Sequence, residues 1–399
     1  MDYDVIIVGS GPAGSSAALH LAAMDPARAK RSVILEMSRH PRHKLCAGGC
    51  VPDVEVCLNH LGLSLREIAH VNANIGRLQY QGRGPSIRLG DVIFRSVRRH
   101  QFDAWLADRA QQRGVRLESE TRVLGIRPIK GGAEVRTKRG SLTAKVVVGA
   151  DGTNSVVRRC IATRRAPSTA RVVEVVTQEV AGDGSPPAGE AVMEFGLWPG
   201  LQGYAWSFPA GEGGVSMRSW GVYDARVSRR RSCGSLSDVL ASWMERHGRR
   251  FDRALLEGHP IRWFDRKGDF SAPHVILAGD AAGVDALFGE GISIALGYGE
   301  IAAHAIRDAF DRDDFSFATY RTRVLQSALG RALSRHTRLA RIAFGLCPPF
   351  IHRAVCHRLG AAAVWYLQRF VFDWSRAAAS PPWPTGESVR QGHRYLWRT

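Results

Sequence analysis

Four apolar runs along the chain predict strands that are buried on both faces. They cover residues 5–8, 32–35, 145–148 and 274–278. Each run is nearly continuous in apolar side chains, which is typical of parallel strands covered by helices on both sides. Small apolar residues at 17–22 predict a helix that packs closely on the first of these strands.

A second group of segments alternates between apolar and polar positions. It comprises residues 172–180, 191–195, 203–209 and 214–223, and alternation of this kind predicts strands of an antiparallel sheet. Residues 77–95 are short and strand-like, with Gly82, Gly84 and Pro85 as turn residues. Residues 236–247 predict a surface helix, and residues 183–187 predict a loop.

A glycine-rich turn follows the first strand directly. Gly9, Gly11 and Gly14 stand at the spacing that gives a tight turn, close backbone approach to a pyrophosphate, and close packing of the next helix. The second strand ends on Glu36, where a carboxylate can accept a hydrogen bond from a ribose hydroxyl and disfavours a 2′-phosphate. The pattern predicts a site for FAD or NAD.

Two further strand ends favour FAD. The third apolar run closes on Asp151 and Gly152, and the fourth closes on Gly279 and Asp280. A flavin extends past the first glycine turn, so a carboxylate and helix N-terminal amides at a second strand end could hold its ribityl chain. In this order and spacing, the segments resemble the flavoprotein superfamily that includes p-hydroxybenzoate hydroxylase and glutathione reductase.

That resemblance implies a set of FAD-binding residues. Arg99 begins an Arg-x-x-Phe-Asp segment whose arginine lies near the flavin in the superfamily, and Asp280 would contact the ribityl-phosphate region. The full set implied is Gly9, Gly11, Pro12, Ala13, Gly14, Glu36, Met37, Lys44, Cys46, Ala47, Gly48, Arg99, Val123, Asp151, Gly152, Gly279, Asp280, Gly289, Gly291 and Ile292.

The resemblance also implies the fold class and the domains. We expect an α/β protein with a Rossmann-like FAD-binding domain of the glutathione reductase type, an inserted antiparallel substrate domain and a C-terminal helical region. The FAD-binding domain would comprise residues 1–76, 96–167 and 266–330, and the substrate domain residues 77–95 and 168–265. Residues 331–399 would form the basic helical C-terminal region.

Charge is concentrated in that C-terminal region. The 399 residues include 55 Lys+Arg against 37 Asp+Glu, a net charge of +18, and residues 331–399 carry a net charge of +9. Arg331, Arg335 and Arg338 fall on one helical face, and residues 361–372 form a second apolar segment containing Trp365. This arrangement predicts either a membrane-surface element or helices packed on the body with a solvated basic face. No nucleic-acid-binding motif accompanies the charge.

Other features of the composition limit the class of protein. Seven cysteines without a CxxC pair argue against a disulfide framework or a metal site, and indicate reduced thiols. The N-terminus lacks the pattern of a signal peptide, and no apolar run reaches the length of a membrane span. We therefore expect a cytoplasmic protein, with peripheral membrane contact as an open alternative.

Two segments narrow the flavoprotein class. Residues 44–52 form a Cys/Gly-rich loop, and residues 199–209 carry a Tyr-x-Trp-x-Phe-Pro pattern. Together they resemble the geranylgeranyl reductase family, whose members use reduced FAD to saturate double bonds of isoprenoid lipids, quinone side chains or chlorophyll precursors. Strand alternation places Tyr204, Trp206 and Phe208 on one face, as an aromatic wall for a hydrocarbon chain or as plain core packing.

Reducing an alkene requires a hydride from the flavin and a proton from the protein. Cys46 is the first candidate for a residue beside the flavin, Cys50 the second, and Tyr204 another proton donor; with Trp206 they complete the candidate catalytic residues. Either cysteine could equally be an inert small hydrophobe. The amides of residues 289–292 could hold negative charge on the reduced ring, although Ala286 stands where related flavoproteins usually have proline.

The same FAD-binding motifs are compatible with other flavoenzyme reactions. A flavin monooxygenase that hydroxylates an aromatic or hydrophobic small molecule is the principal alternative. A halogenase is disfavoured because residues 47–49 read Ala-Gly-Gly where that branch has Gly-Glu-Ser. No second glycine fingerprint for a nicotinamide cofactor is present, so we expect transiently bound NAD(P)H or a reduced ferredoxin as the electron donor, and a polyprenyl-type small molecule as the substrate.

Overall fold

The structure is a computed structural model of the chain. It describes residues 1–84, 86–87, 92–161, 169–179, 186–228, 232–346, 349–357 and 374–375. The predicted apolar segment at 361–372, with Trp365, lies outside these residues, as do parts of the predicted loop at 183–187.

The described residues contain eighteen strands, which fall into three sheets. The strands are β1 Tyr3–Val8, β2 Ser32–Leu35, β3 Gly49–Cys50, β4 His70–Ala73, β5 Ile75–Tyr80, β6 Ser86–Ile87, β7 Phe94–Val97, β8 Arg116–Glu118, β9 Val123–Ile129, β10 Gly132–Thr137, β11 Gly140–Gly149, β12 Thr169–Gln178, β13 Glu190–Phe195, β14 Gly203–Glu212, β15 Val215–Asp224, β16 Glu257–Arg262, β17 Ser271–Ala272 and β18 Val275–Leu277.

Ten α-helices are found in the same part of the chain, and a π-helical turn at Arg341–Leu346 continues the ninth. They are α1 Pro12–Met24, α2 Pro26–Lys30, α3 Pro52–His60, α4 Arg99–Gln112, α5 Val156–Ile161, α6 Leu236–Arg246, α7 Ile292–Arg312, α8 Tyr320–Gln326, α9 Ala328–Ala340 and α10 Pro349–His357.

The four apolar runs lie in one mainly parallel sheet. Its order is β17-β18-β11-β1-β2-β8, and the hairpin of β9 and β10 extends from β11. Strand β1 pairs in parallel with both β2 and β11, and Ile6 and Ile7 on its opposite faces are both fully buried. Burial on both faces explains the uninterrupted apolar runs, and the predicted fold class is confirmed.

Helices α1 and α7 pack closely against each other beside this sheet. A Cβ on Gly299 would lie 2.5 Å from the side chain of Ser16, and the Ser16 hydroxyl donates to the Leu296 carbonyl at 2.7 Å. Small residues on both helices permit this approach. The contact fixes the N-terminus of α7 relative to the glycine-rich turn that precedes α1.

The alternating segments form a seven-stranded sheet in the order β16-β12-β15-β14-β13-β5-β6. Most neighbours are antiparallel as predicted, but β5 pairs with β13 in parallel, from Glu190 opposite Ile75 to Phe195 opposite Tyr80. A parallel pair needs a long connection, and here the two strands lie more than a hundred residues apart in the chain. Strands β3, β4 and β7 form a third sheet that the sequence did not predict. The proposed domain boundaries remain a prediction.

The basic helix α9 is amphipathic and packs on the body of the protein. Leu333 is fully buried, Phe344 in the following π-helical turn is nearly so, and Arg331 and Arg338 are exposed. Ile342, in the same turn, is 49% exposed. No helix in the described part of the chain combines the length and the apolar character needed to cross a membrane.

Candidate active site

The glycine-rich turn leaves one face of its backbone open. A Cβ on Gly9, whose φ is +98°, would lie 2.5 Å from the Ala150 carbonyl oxygen, and one on Gly14 would lie 2.0 Å from the carbonyl oxygen of Gly9. A Cβ on Gly11 would meet only the Arg42 guanidinium, at 3.7 Å. Gly11 therefore faces open space beside a cation. It immediately precedes α1, whose first residues are Pro12 and Ala13. This cradle suits a pyrophosphate.

Glu36 is held by several donors at the end of β2. Its Oε2 accepts from the Ser10 amide at 3.1 Å and the Ser10 hydroxyl at 2.7 Å, and its Oε1 accepts from the Ser38 amide at 3.1 Å. The Arg42 Nε lies 3.3 Å from Oε2. Burial alone would raise the pKa of Glu36, but Arg42 and these hydrogen bonds outweigh it and lower the pKa.

Residues 121–123 run beside Glu36. The Thr121 amide donates to the Glu36 carbonyl at 2.8 Å. Val123 is buried, whereas Met37 is 60% exposed with its sulfur 3.9 Å from the Arg122 guanidinium. The predicted nucleotide residues Glu36, Met37 and Val123 are thus neighbours in the structure.

Arg42 links the nucleotide end of the site to the flavin end. Its Nη2 lies 3.2 Å from Asp103 Oδ2, so one guanidinium bridges Asp103 and Glu36. Arg99 also donates two hydrogen bonds to Asp103, from Nε to Oδ1 at 2.8 Å and from Nη2 to Oδ2 at 3.0 Å. Asp103 and its hydrogen bond, together with the Cys46 sulfur that Arg99 also contacts, raise the pKa of Arg99 despite the opposing effect of burial. Sequence reasoning missed Arg42, because no local spacing marks its role.

The Cys/Gly-rich loop is fixed against β7. The Gly48 carbonyl accepts from the Val97 amide at 3.0 Å, and at Gly48, with φ +74°, a Cβ would lie 1.9 Å from the Val97 carbonyl oxygen. The Gly48 amide donates to the Cys46 sulfur at 3.4 Å. The Cys46 side chain is partly exposed, whereas Cys50 is 2% exposed and its burial raises the thiol pKa well above the usual value.

Lys44 reaches the seven-stranded sheet. Its Nζ lies 2.9 Å from His259 Nε2 on β16. Burial, followed by the charge of Lys44, lowers the pKa of His259 to about 4, and burial also lowers the pKa of Lys44. The histidine is therefore neutral near pH 7 and accepts from the ammonium group, which anchors the loop to the sheet.

The two strand ends that carry Asp151 and Asp280 lie side by side, because β11 and β18 pair in parallel. Thr153 follows Asp151 and Gly152, and its hydroxyl donates to Asp280 Oδ2 at 3.2 Å. Asp151 itself accepts from the amides of Val156 and Val157, at 2.6 and 3.2 Å. Asp151 thus caps α5, while Asp280 stands at the end of β18 near the start of α7.

The segment before α7 supplies a turn of backbone beside Asp280. Gly279 and Gly289 have φ values of +62° and +68°, and a Cβ on Gly291 would lie 3.8 Å from Asp280 Oδ1. Helix α7 begins at Ile292. The segment also carries Glu290, which the sequence did not single out and whose pKa burial raises to about 7.

Tyr204, Trp206 and Phe208 share one face of the sheet, as alternation predicts. Consecutive ring centroids lie 6.3 Å apart. The Trp206 Nε1 donates to the Ser219 hydroxyl at 2.9 Å, and the Tyr204 hydroxyl donates to the Phe288 carbonyl. This face forms one apolar cluster with Ala47 of the Cys/Gly-rich loop, the loop at 286–288 and the end of α9.

Ala286, where related flavoproteins usually have proline, has a fully buried side chain. The carbonyl of Ala286 accepts a hydrogen bond from Tyr223 at 2.7 Å. The Asp285 carboxylate accepts hydrogen bonds from the Leu287 and Phe288 amides, at 2.8 and 3.0 Å. The local backbone is therefore held by the sheet and by Asp285.

The residues present suit FAD. Glu36 with Arg42, the open face at Gly11, Asp280 beside Gly291 and the backbone turn before Ile292 supply the groups that the adenosine ribose, the pyrophosphate and the ribityl chain require. The binding residues themselves remain predictions. In the described part of the chain, no three His, Cys, Asp or Glu side chains form a metal site.

Comparison with known proteins agrees with this geometry. The family described as FAD binding domain matches residues 2–285. The chain is 29% identical to the geranylgeranyl diphosphate reductase of Rhodobacter capsulatus, over 76% of this chain and 75% of that protein. It is 26% identical to the menaquinone reductase of Mycolicibacterium smegmatis, over 84% and 83%.

Solved structures share the fold. A geranylgeranyl bacteriochlorophyll reductase-like protein from Thermoplasma acidophilum superimposes with a TM-score of 0.73 and 19% identity, covering 94% of this chain and 98% of that one. Flavin-dependent halogenases share the same fold at TM-scores of 0.68 and 0.64. Fold alone therefore does not separate reductases from halogenases.

Proposed function

Because the chain belongs to the FAD binding domain family and is an FAD-dependent oxidoreductase, we propose that it is a reductase of the geranylgeranyl type, saturating carbon–carbon double bonds of an isoprenoid or similar hydrophobic substrate. One observation carries the proposal. The aromatic face of β14, the Cys/Gly-rich loop and the loop before α7 meet in a single apolar cluster. A long hydrocarbon chain is the kind of substrate such a wall would hold.

The chain's own residues would bind the cofactor along the path described above. Gly11 and Arg42 would hold the pyrophosphate, Glu36 the adenosine ribose, and Asp280 the ribityl chain. Reduced FAD supplies the hydride for alkene saturation when it is bound. The backbone amides at 289–292 would stabilise negative charge near the ring.

The substrate side excludes water and positions the alkene. Tyr204 and Trp206 are each 5% exposed, and their polar atoms are already bonded to Phe288 and Ser219. The aromatic wall formed by Tyr204, Trp206 and Phe208 would therefore contact a substrate chain through its ring carbons. A dry, apolar surface prevents competing protonation by solvent.

Cys46 is our candidate for the proton donor to the second carbon. Its sulfur accepts a hydrogen bond from the Gly48 amide and lies beside the Arg99 guanidinium, and its side chain is partly exposed. Cys50 lies in the core cluster, and its burial raises the thiol pKa well above the usual value, so we assign it to the core. Tyr204 has its hydroxyl engaged by Phe288, so we assign it to the wall.

Anaerobic reoxidation tests the proposal. The purified holoprotein is reduced without oxygen and mixed with an unsaturated polyprenyl lipid or a quinone with an unsaturated side chain. Reoxidation of the flavin with loss of substrate double bonds is the expected result. A flavin that stays reduced until oxygen is admitted, and a hydroxylated product afterwards, would favour the monooxygenase.

The electron donor would be NAD(P)H or a reduced ferredoxin. An acidic ferredoxin would suit the net charge of +18. Reduction rates with each donor distinguish them: a rate that falls steeply with added salt for ferredoxin, and exceeds the rate with either nicotinamide, supports the protein donor.

Peripheral membrane contact would bring the enzyme to a lipid substrate. Arg331, Arg338 and Arg341 are exposed next to Ile342, while the other side of the same helical segment, with Ala340 and Phe344, contributes to the aromatic cluster. One segment would therefore face both an anionic lipid surface and the substrate wall.

A further inference from the structure

Two residues near the C-terminus reach back to the N-terminus of α7. Trp374 and Ser375 are 7% and 2% exposed. The Trp374 indole packs on Gly297, where a Cβ would lie 2.5 Å from the ring, and its Nε1 donates to the Ser293 hydroxyl at 3.0 Å. The Ser375 amide donates to Asp53 Oδ1 on α3 at 2.9 Å.

Ser293 connects Trp374 to Glu290 through hydrogen bonds. Its amide donates to Glu290 Oε1 and its hydroxyl to Oε2, both at 2.8 Å. Because the Ser293 hydroxyl oxygen accepts from Trp374, its single hydrogen is directed to Glu290. Trp374, Ser293 and Glu290 thus form one ordered chain of hydrogen bonds.

Glu290 has an environment that favours the neutral acid. Burial is the main cause of its raised pKa, about 7, and Asp285 and Asp53 raise it further, while the two Ser293 hydrogen bonds lower it. The charge of Glu290 in turn contributes to the raised pKa of the Cys50 and Cys57 thiols, for which burial is the main cause. Because these effects on the Glu290 carboxyl group oppose each other, the loss of one hydrogen bond changes its pKa.

We propose that Trp374 is a positioning residue for Glu290: through Ser293 it orients this carboxyl group between Gly289 and Gly291, at the edge of the predicted flavin site. The proposal depends on FAD lying along residues 289–292, and is independent of the substrate that is reduced. Glu290 would set the local charge beside the flavin through its protonation.

A double-mutant cycle tests the connection. The variants are Trp374→Phe, Ser293→Ala and both together, with Trp105→Phe as the matched control, since no hydrogen-bond partner of the Trp105 indole nitrogen lies among the described residues. The pH titration of Glu290 is followed by the infrared carboxylic-acid band of the holoprotein, assigned with Glu290→Gln. Flavin absorption and FAD affinity are measured in parallel.

Ser293→Ala removes the hydroxyl that donates to the carboxylate, and Trp374→Phe removes the N–H that orients this hydroxyl. We expect Trp374→Phe and Ser293→Ala each to shift the titration upward by about 0.5–1 pH unit. The double variant should shift no further than Ser293→Ala alone, and Trp105→Phe should not shift it. An unshifted titration in Trp374→Phe, or shifts that simply add in the double variant, would overturn the proposal. If Trp374→Phe does not fold, Trp374→Tyr, which also lacks the ring N–H, takes its place, and an unshifted titration in that variant overturns the proposal.

Discussion

The hydroxyl of Tyr204 donates a hydrogen bond to the backbone carbonyl of Phe288, and this bond joins the aromatic face of β14 to the loop before α7. Tyr223 makes the equivalent bond to the carbonyl of Ala286, at 2.7 Å. Two tyrosines from adjacent strands therefore hold one loop. The aromatic face of β14 and the predicted flavin edge are consequently joined by two hydrogen bonds into one packed unit.

Tyr204→Phe should weaken this unit without removing a proton donor. Burial raises the pKa of Tyr204 far above its usual value, and its hydroxyl is already bonded. We expect a loss of about 1–2 kcal/mol in the free energy of unfolding and a turnover reduced by less than about tenfold. Tyr223→Phe, measured by the same urea denaturation and turnover assays, should behave alike. A loss of turnover of about a hundredfold or more in Tyr204→Phe alone would make Tyr204 the proton donor.

Gly11→Ala and Gly14→Ala should separate cofactor binding from folding. At Gly11 a methyl group has space in the protein but would stand where we place the pyrophosphate. At Gly14 it would collide with the backbone of Gly9. Gly11→Ala should therefore fold with a normal melting temperature as apoprotein and bind FAD at least tenfold more weakly. Gly14→Ala should melt at a lower temperature. Undiminished FAD affinity in Gly11→Ala would refute this placement.

Cys46→Ala should lower alkene reduction strongly and leave FAD bound. Removing the thiol removes the proposed proton donor, an effect of about a hundredfold or more. Cys160→Ser, at an exposed cysteine, is the control. Turnover per bound FAD is the measurement. Equal activity of Cys46→Ala and the wild type would show that the thiol is inert.

Glu36 should make stability dependent on acid pH. Its pKa in the folded protein lies below the ordinary 4.5, so its contribution is complete above that value and is lost as the pH falls through the lower folded pKa. Glu36→Gln should reduce the free energy of unfolding at neutral pH and flatten its decline in acid. Glu67→Gln, at the partly exposed pair with Arg109, should follow the wild-type profile. The same acid decline in Glu36→Gln would contradict the assignment.

Charge reversal on α9 and at the start of the π-helical turn that follows it should weaken membrane binding. Substituting Glu for Arg331, Arg338 and Arg341 removes three exposed cations, each worth about 1 kcal/mol near an anionic surface. Cosedimentation with anionic vesicles should fall at least tenfold and lose its salt dependence. Arg116→Glu with Arg127→Glu, two exposed cations on β8 and β9, should leave vesicle binding unchanged. Equal binding by both charge-reversal variants would exclude a specific α9 surface.

Local signals account for what the sequence could predict. The uninterrupted run of β1 and the glycines after it depend on neighbours within about ten residues, and the structure agrees with them there. Arg42 escaped notice because its two carboxylates, Glu36 and Asp103, are brought together only by the fold. Trp374 bonds Ser293, which is 81 positions away in the chain, and Ser375 bonds Asp53, which is 322 positions away. A local sequence pattern cannot predict contacts between residues so far apart.

The aromatic strand shows the same limit. Alternation correctly placed Tyr204, Trp206 and Phe208 on one face. It could not show that the hydroxyl of Tyr204 would be bonded to Phe288, nor that Ser219 would accept from Trp206. Those partners decide whether a polar atom is available for chemistry, and they lie on other elements of the fold.

The most direct test of alkene reduction is the mass of the product from a single turnover. The holoprotein, reduced and kept free of oxygen, is mixed with one equivalent of an unsaturated isoprenoid, and the product is analysed by mass spectrometry. We expect a gain of one pair of hydrogen atoms per reduced flavin, with no oxygen incorporated, and a parallel loss of one double bond. An unchanged substrate under these conditions, followed by a gain of one oxygen atom when air is admitted, would contradict it.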